Sequence, residues 1–135
     1  YRSAKGQALV ENPRAALTFY WDELARQVRV RGHASEVDAS ESDAYFHTRP
    51  RGSQVGAWAS RQSEVLATRE ALEERCREID ERYAGREVPR PPHWGGYRLI
   101  ATSFEFWQGR ESRLHDRIIF SKQKSGKWKT ERLAP

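Results

Sequence analysis

The sequence predicts an α+β fold built mainly on antiparallel β-strands. Three observations point there: strict alternation over residues 26–34, a narrow apolar helical stripe over residues 68–84, and three strand-like runs after it. The predicted order is two strands, two helices and three strands, with the helices outside an antiparallel sheet or barrel. A length of 135 residues suits a single domain, residues 1–135.

Taken in order, residues 3–11 are weakly helical until Asn12-Pro13 breaks them. Residues 14–21 (RAALTFYW) are short, apolar and aromatic, as a strand requires. Residues 22–25 connect to residues 26–34 (RQVRVRGHA), where Val28 and Val30 face one way and Gln27, Arg29 and Arg31 the other. Residues 40–47 form a predicted helix with Ser40 as N-cap and Asp43 completing an approximate capping box; Pro50 ends it. Residues 49–63 are polar and mixed, and predict a loop with at most one helical turn.

The clearest helix covers residues 68–84, with Thr68 as cap and Gly85 just beyond its end. Leu72, Cys76, Ile79 and Tyr83 make its stripe, and Glu73–Arg77 and Glu78–Arg82 are candidate i,i+4 pairs. A proline-stiffened linker over residues 86–92 leads to strands at 97–107, 117–122 and 127–133, with Ser125-Gly126 as the last turn. Five strands do not by themselves close a barrel, so further chain or a second subunit is expected to supply the rest. The first residue is Tyr1 and the sequence has no Met, which predicts a natural start further upstream.

The charge balance narrows the partners. The net charge is +5, and only Lys5, Lys122, Lys124, Lys127 and Lys129 of the basic residues are lysine. Arginine's planar fork suits phosphate and carboxylate, so a nucleic-acid backbone or a small phosphorylated ligand is implied. Acidic residues are interspersed through most of the chain and the tryptophans are scattered, which argues against nucleic acid. One cysteine, Cys76, permits no internal disulfide and suits a reducing, cytoplasmic setting. No apolar run approaches the ~20 residues of a membrane helix. No metal site is expected, because His33, His47, His93 and His115 do not stand at ligand spacing with one another or with Cys76. Glycine loops that cradle phosphates are absent too.

Two clusters could carry chemistry. In an extended segment, Arg113, His115 and Arg117 share one face, with Leu114 and Asp116 opposite. Such a face is either an anion-binding wall or a solvated strand neutralised by Asp116. Tyr45, Arg49 and Ser53 lie across a helix end, and a phenol, a guanidinium and a hydroxyl suit a phosphate monoester. A surface helix end with Tyr45 packed and Arg49 solvated explains the same residues. Gln27, Gln62 and Ser63 could read a heterocycle edge, although composition alone reads them as ordinary surface.

The runs EFWQGRESRLHDRIIF (residues 105–120), YFHTRPRGSQVGAW (45–58), RQV around Gln27, EVPRPPHWGGYR (87–98) and ERLAP (131–135) resemble the motifs of pyridoxine/pyridoxamine 5'-phosphate oxidases, in the same order. The resemblance implies an FMN-binding split β-barrel with peripheral helices, here a partial barrel, working as a homodimer with flavin at the subunit interface. It implies oxidation of pyridoxamine or pyridoxine 5'-phosphate to pyridoxal 5'-phosphate, with O2 reduced to hydrogen peroxide. Tyr45, Arg49 and Ser53 would hold the substrate phosphate, and Arg113, Leu114 and His115 would lie against the substrate ring, Arg113 and His115 as catalytic residues. Lys5, Gln27, Gln62, Ser63, Trp107 and Arg117 would contact FMN. Members of the family often have Arg-Lys where this chain has Ala4-Lys5, so one phosphate partner is missing. A non-catalytic or differently specific flavin-binding relative is the alternative.

Overall fold

The computed structural model describes residues 1–135. The helices are α1 (Ala4–Glu11), α2 (Ala39–His47), α3 (Arg51–Ala59) and α4 (Arg69–Arg82). The strands are β1 (Arg14–Trp21), β2 (Arg26–Glu36), β3 (Tyr97–Gln108), β4 (Asp116–Lys122) and β5 (Trp128–Arg132). No helix is long and apolar enough to cross a membrane. The residues group into two compact units: Tyr1–Asn12 with Glu36–Arg98, and Pro13–Ser35 with Leu99–Pro135.

The first unit is helical, and Phe46, Val55 and Val88 form its core. Cys76, Ile79 and Tyr83 of α4 pack on that core, as the stripe predicts. Thr68 caps α4 by accepting from the Ala71 amide at 3.2 Å, and Gly85 follows the helix at φ +68°, where a side chain would be strained. The expected Glu73–Arg77 and Glu78–Arg82 pairs do not form. Glu73 instead receives Arg69 at 2.7 Å, and Arg77 turns back to Glu74. These are solvated side chains with several partners in reach, so spacing alone does not choose among them.

Two further expectations fail in this unit. Helix α2 begins one residue before Ser40, with Asp38 as N-cap and no side-chain cap. Asp43 is drawn off to Arg90 at 2.6 Å, which removes it from the capping box. The expected loop over residues 49–63 is mostly helix α3, which starts right after Pro50. Its two glycines lower helix propensity. Tertiary contacts outweigh that: Val55 and Ala59 are buried one turn apart, and Trp58 Nε1 donates to the Pro89 carbonyl at 2.7 Å. Gln54 Nε2 also donates to the Arg49 carbonyl at 3.0 Å, satisfying backbone at the α2–α3 corner.

The second unit is the sheet, in order β1-β2-β3-β4-β5. The registers pair Phe19 with Val28, Trp107 with Arg117 and Ile119 with Glu131, all antiparallel. Gly32 sits where β2 meets β3; a Cβ there would lie 2.1 Å from the Ile100 carbonyl oxygen, so only glycine fits. Period-two geometry makes the sheet two-faced. One face carries Leu17, Phe19, Val28, Val30, Phe104, Phe106, Ile118 and Phe120. Phe104 packs on Trp128 and Phe106 on Phe120, with ring centroids 5.4 and 5.7 Å apart. Leu17, Phe19, Phe106 and Trp128 nonetheless stay over 40% exposed. The opposite face carries Gln27, Arg29, Glu105, Trp107 and Arg117.

Candidate functional site

In the helical unit, α2 presents Tyr45 and its C-terminal corner presents Arg49. The Tyr45 ring stacks near the Trp94 indole, centroids 6.1 Å apart and planes 21° apart. The Arg49 guanidinium lies 5.0 Å from the Trp94 ring centroid and 5.9 Å from that of Phe46. Trp94 is thus the platform for both, held edge-on by buried Phe46 at 5.1 Å. Arg51, Arg90 and Arg98 each have a carboxylate partner, Asp80, Asp43 and Glu41. Arg49 has none, and its Nη1 is buried without a hydrogen-bond acceptor. A buried donor on a charged group is costly when unmet, and an anion would meet it. Ser53 is half-buried in the first turn of α3, beside this corner in sequence.

The other predicted residues of this unit are more exposed. Lys5 stands in the first turn of α1, next to Ala4 and the Ser3 cap. Gln62 and Ser63 occupy a turn after α3, closed by Glu64 N–H donating to the Arg61 carbonyl at 3.1 Å, with Ser63 at φ +71°. A groove of about 810 Å³ lined by His47, Arg51, Gln54, Asp80, Arg86 and neighbours includes none of the predicted site residues.

In the sheet unit, Gln27, Trp107 and Arg117 do share a face, as contact with one flat ligand would need. Glu105 organises this face, and sequence reasoning passed over it. Glu105 is 5% exposed, and its carboxylate accepts from Arg117 Nε at 2.9 Å, while Arg29 Nη1 lies at 3.6 Å. Arg117 Nη1 also donates to the Ala134 carbonyl at 3.0 Å. The clue was a lone acid among aromatics in FEFW (residues 104–107), on the face of Trp107.

The second predicted cluster needs correction. Arg113, His115 and Arg117 do not share a strand face, because β4 begins only at Asp116. Residues 111–113 form a single 3-10 turn, with Ser112 at φ +55° and Arg113 at φ +61°. Each left-handed non-glycine residue costs roughly 1–2 kcal/mol. Glycine at 109 and the exposed polar run after it favour a corner over a continuous strand. Arg113 is exposed with no ion pair, and Leu114 is 70% exposed. The His115 ring packs against Trp107 at 4.8 Å, and its Nδ1 accepts from the Arg110 amide at 3.2 Å. A neutral imidazole that accepts at Nδ1 carries its hydrogen on Nε2. Asp116 receives Arg110 at 2.8 Å and Arg132 at 2.6 Å, and these hydrogen bonds, Arg110's first, hold its carboxyl below the usual range.

The sequence model of the pyridoxamine 5'-phosphate oxidase family matches residues 1–109, and that of the pyridoxine 5'-phosphate oxidase C-terminal dimerisation region matches residues 94–135. Among curated proteins, the chain is 58% identical over 135 residues to pyridoxine/pyridoxamine 5'-phosphate oxidase of Microcystis aeruginosa and 58% to that of Bordetella petrii. All of this chain is covered, but it spans 63% of the length of each of these relatives. Among solved structures, PhzG from Burkholderia lata in complex with tetrahydrophenazine-1-carboxylic acid is 35% identical with a TM-score of 0.90, covering 98% of this chain and 64% of that one. A pyridoxamine 5'-phosphate oxidase-related FMN-binding protein from Nostoc punctiforme is 16% identical with a TM-score of 0.66, covering 99% and 69%, and shares the fold. The expected α+β, split-barrel fold class is thereby borne out.

Proposed function

The chain belongs to the pyridoxamine 5'-phosphate oxidase family, and from that premise we propose that its protein oxidises pyridoxamine or pyridoxine 5'-phosphate to pyridoxal 5'-phosphate, using FMN and O2 and releasing hydrogen peroxide. The observation that carries this reading is Arg49, a cation seated on Trp94 with a buried, unmatched Nη1. A substrate phosphate supplies the missing acceptor. Tyr45, on the same indole, and Ser53 offer hydroxyl donors to the remaining oxygens.

The residues also fit a flavin. Gln27, Trp107 and Arg117 share one sheet face, with Arg117 fixed by Glu105, and Lys5, Gln62 and Ser63 are exposed polar groups able to add contacts. Ala4 adds none. When bound, FMN supplies the acceptor for the hydride equivalents leaving the substrate carbon and passes the electrons to O2. The chain's residues would supply position: Arg49 as the phosphate anchor, Arg113 as a guanidinium toward the substrate ring, and His115 with an Nε2–H beside Trp107. With pyridoxamine phosphate the nitrogen leaves as ammonia after water adds, and with pyridoxine phosphate the alcohol becomes the aldehyde directly.

The match to a dimerisation region and the half-exposed apolar sheet face support a homodimer, and the same reading puts the flavin at the subunit interface. One half-buried cysteine on α4 suits a cytoplasmic setting. A second reading, a relative acting on another aromatic acid, draws on the likeness to PhzG. An unmatched guanidinium would accept a carboxylate as well as a phosphate. The higher identity to the B6 phosphate oxidases favours the first. The test is to incubate the complete protein with FMN and pyridoxamine phosphate in air. Pyridoxal phosphate and peroxide are expected together, and the absence of both overturns the reading.

A further inference from the structure

The corner between β3 and β4 is held by side chains at its ends and, in its middle, by one backbone hydrogen bond, from Leu114 N–H to the Glu111 carbonyl at 3.1 Å. At one end, Gly109 N–H donates to the Ala25 carbonyl at 2.7 Å, and Gln108 Nε2 reaches the Leu24 carbonyl at 3.1 Å. At the other, Asp116 takes Arg110 on Oδ2 and Arg132 on Oδ1. Between them, Ser112 and Arg113 adopt consecutive left-handed conformations, and the exposed Arg113 side chain makes no ion pair. L-residues leave that region unless their surroundings hold them there. Arg110 links the two halves, since its side chain grips Asp116 while its amide donates to His115 Nδ1. Release of Asp116 would therefore free both the turn that aims Arg113 and the hydrogen bond that orients His115.

We propose that Asp116 is a positioning residue: by clamping Arg110 and Arg132 it holds residues 109–115 in the left-handed turn that presents Arg113 and His115 to the substrate. The inference rests on the functional reading above for what the turn presents, and on geometry alone for the clamp. Neither Asp116 nor Arg110 needs to touch substrate or flavin. Their effect passes through the backbone of the corner.

The experiment compares the complete FMN-loaded protein with Asp116→Asn and with Asp116→Asn/Ser112→Gly. Hydrogen exchange over residues 110–115 is expected to quicken about tenfold in Asp116→Asn, because charge-assisted bonds are lost, while β3 and β4 amides stay unchanged. Turnover of pyridoxamine phosphate should fall about tenfold in kcat/KM, with the FMN dissociation constant within about twofold of the parent. Glycine adopts the left-handed region freely, so Ser112→Gly should recover about threefold or more of that loss. A merely structural role for Asp116 predicts no such rescue. Unchanged exchange in Asp116→Asn, unchanged kcat/KM, or a rescue that fails would each overturn the proposal. If Asp116→Asn does not fold, Arg110→Met breaks the same clamp from its exposed arm, with the same outcomes deciding. Should the parent protein fail to oxidise pyridoxamine phosphate, the functional reading falls, and exchange alone still decides the clamp.

Discussion

The Arg49 guanidinium lies 5.0 Å from the centre of the Trp94 ring and has no carboxylate to answer it. Two neighbouring arginines of the helical unit are neutralised from within: Arg90, mostly buried, by Asp43, and Arg51 by Asp80. In the proposed reading, a cation held on an aromatic shelf with a buried, unmatched donor stands ready for an incoming anion.

Arg49→Ala should raise KM for pyridoxamine phosphate roughly ten- to a hundredfold, the value of about 1.5–3 kcal/mol for a charge-assisted hydrogen bond. Flavin affinity should not move. Arg113→Ala should lower kcat as well, since in the proposed reading Arg113 orients the reacting ring. Steady-state kinetics with flavin titration checks both, and equal losses of FMN affinity in the two variants would show the pockets to be misassigned.

Glu105→Gln should loosen the hold on Arg117 and leave Arg29 and Arg117 facing each other without their shared anion. A cost of about 1–3 kcal/mol in folding stability is expected, at the modest end because both guanidiniums are partly solvated. Urea denaturation reads the stability, and fluorescence titration should show weaker FMN binding. Unchanged flavin affinity would mean that the aim of Arg117 does not matter.

The Asp116 carboxyl is depressed, first by Arg110 and then by Arg132. A depressed carboxylate stabilises the folded state above its unfolded pKa, and that contribution is lost as pH falls through the folded pKa. The clamp is therefore intact at neutral pH and opens only below the usual carboxylate range. A carbon-detected NMR titration of Asp116 should give a midpoint below that of a free aspartate, and Arg110→Gln should move it upward. A midpoint at the ordinary value would show the clamp to be absent in solution.

Phe46 is fully buried and sets the edge against which Trp94 rests. Phe46→Ala should cost about 3–5 kcal/mol of stability. Phe46→Leu, nearer in volume, should cost less yet still raise KM, because the indole beneath Arg49 loses its support. Thermal melts and kinetics on the leucine variant separate the two effects.

Much of this architecture was legible in the amino-acid order. The alternation of Val28 and Val30 with Gln27, Arg29 and Arg31 gave β2, and the run RAALTFYW matched β1 residue for residue. Thr68 and Gly85 marked the ends of α4 because caps are local chemistry. Helix α3 was not legible, since its stability comes from burying Val55 and Ala59 rather than from propensity. The left-handed turn at Ser112 and Arg113 was hidden for the converse reason: Gly109 and the polar run mark a corner, but no residue type there demands a positive φ, and Asp116, which we propose holds the corner, is paired to Arg132 from another strand. Arg49 and Arg113 could be named from motifs, but that Arg49 lacks a counter-ion and that Trp94 carries it are facts of packing.

The parity of β3 has one last consequence. Odd positions 103, 105 and 107 face the polar side with Arg117, and even positions 104 and 106 face the aromatic side with Phe120. Substitutions there act one at a time. A one-residue deletion between 103 and 107 would instead exchange the two sides wholesale, turning Glu105 toward the phenylalanines and a phenyl ring toward the guanidiniums. The gene can drift in letters along this stretch far more easily than it can drift in length.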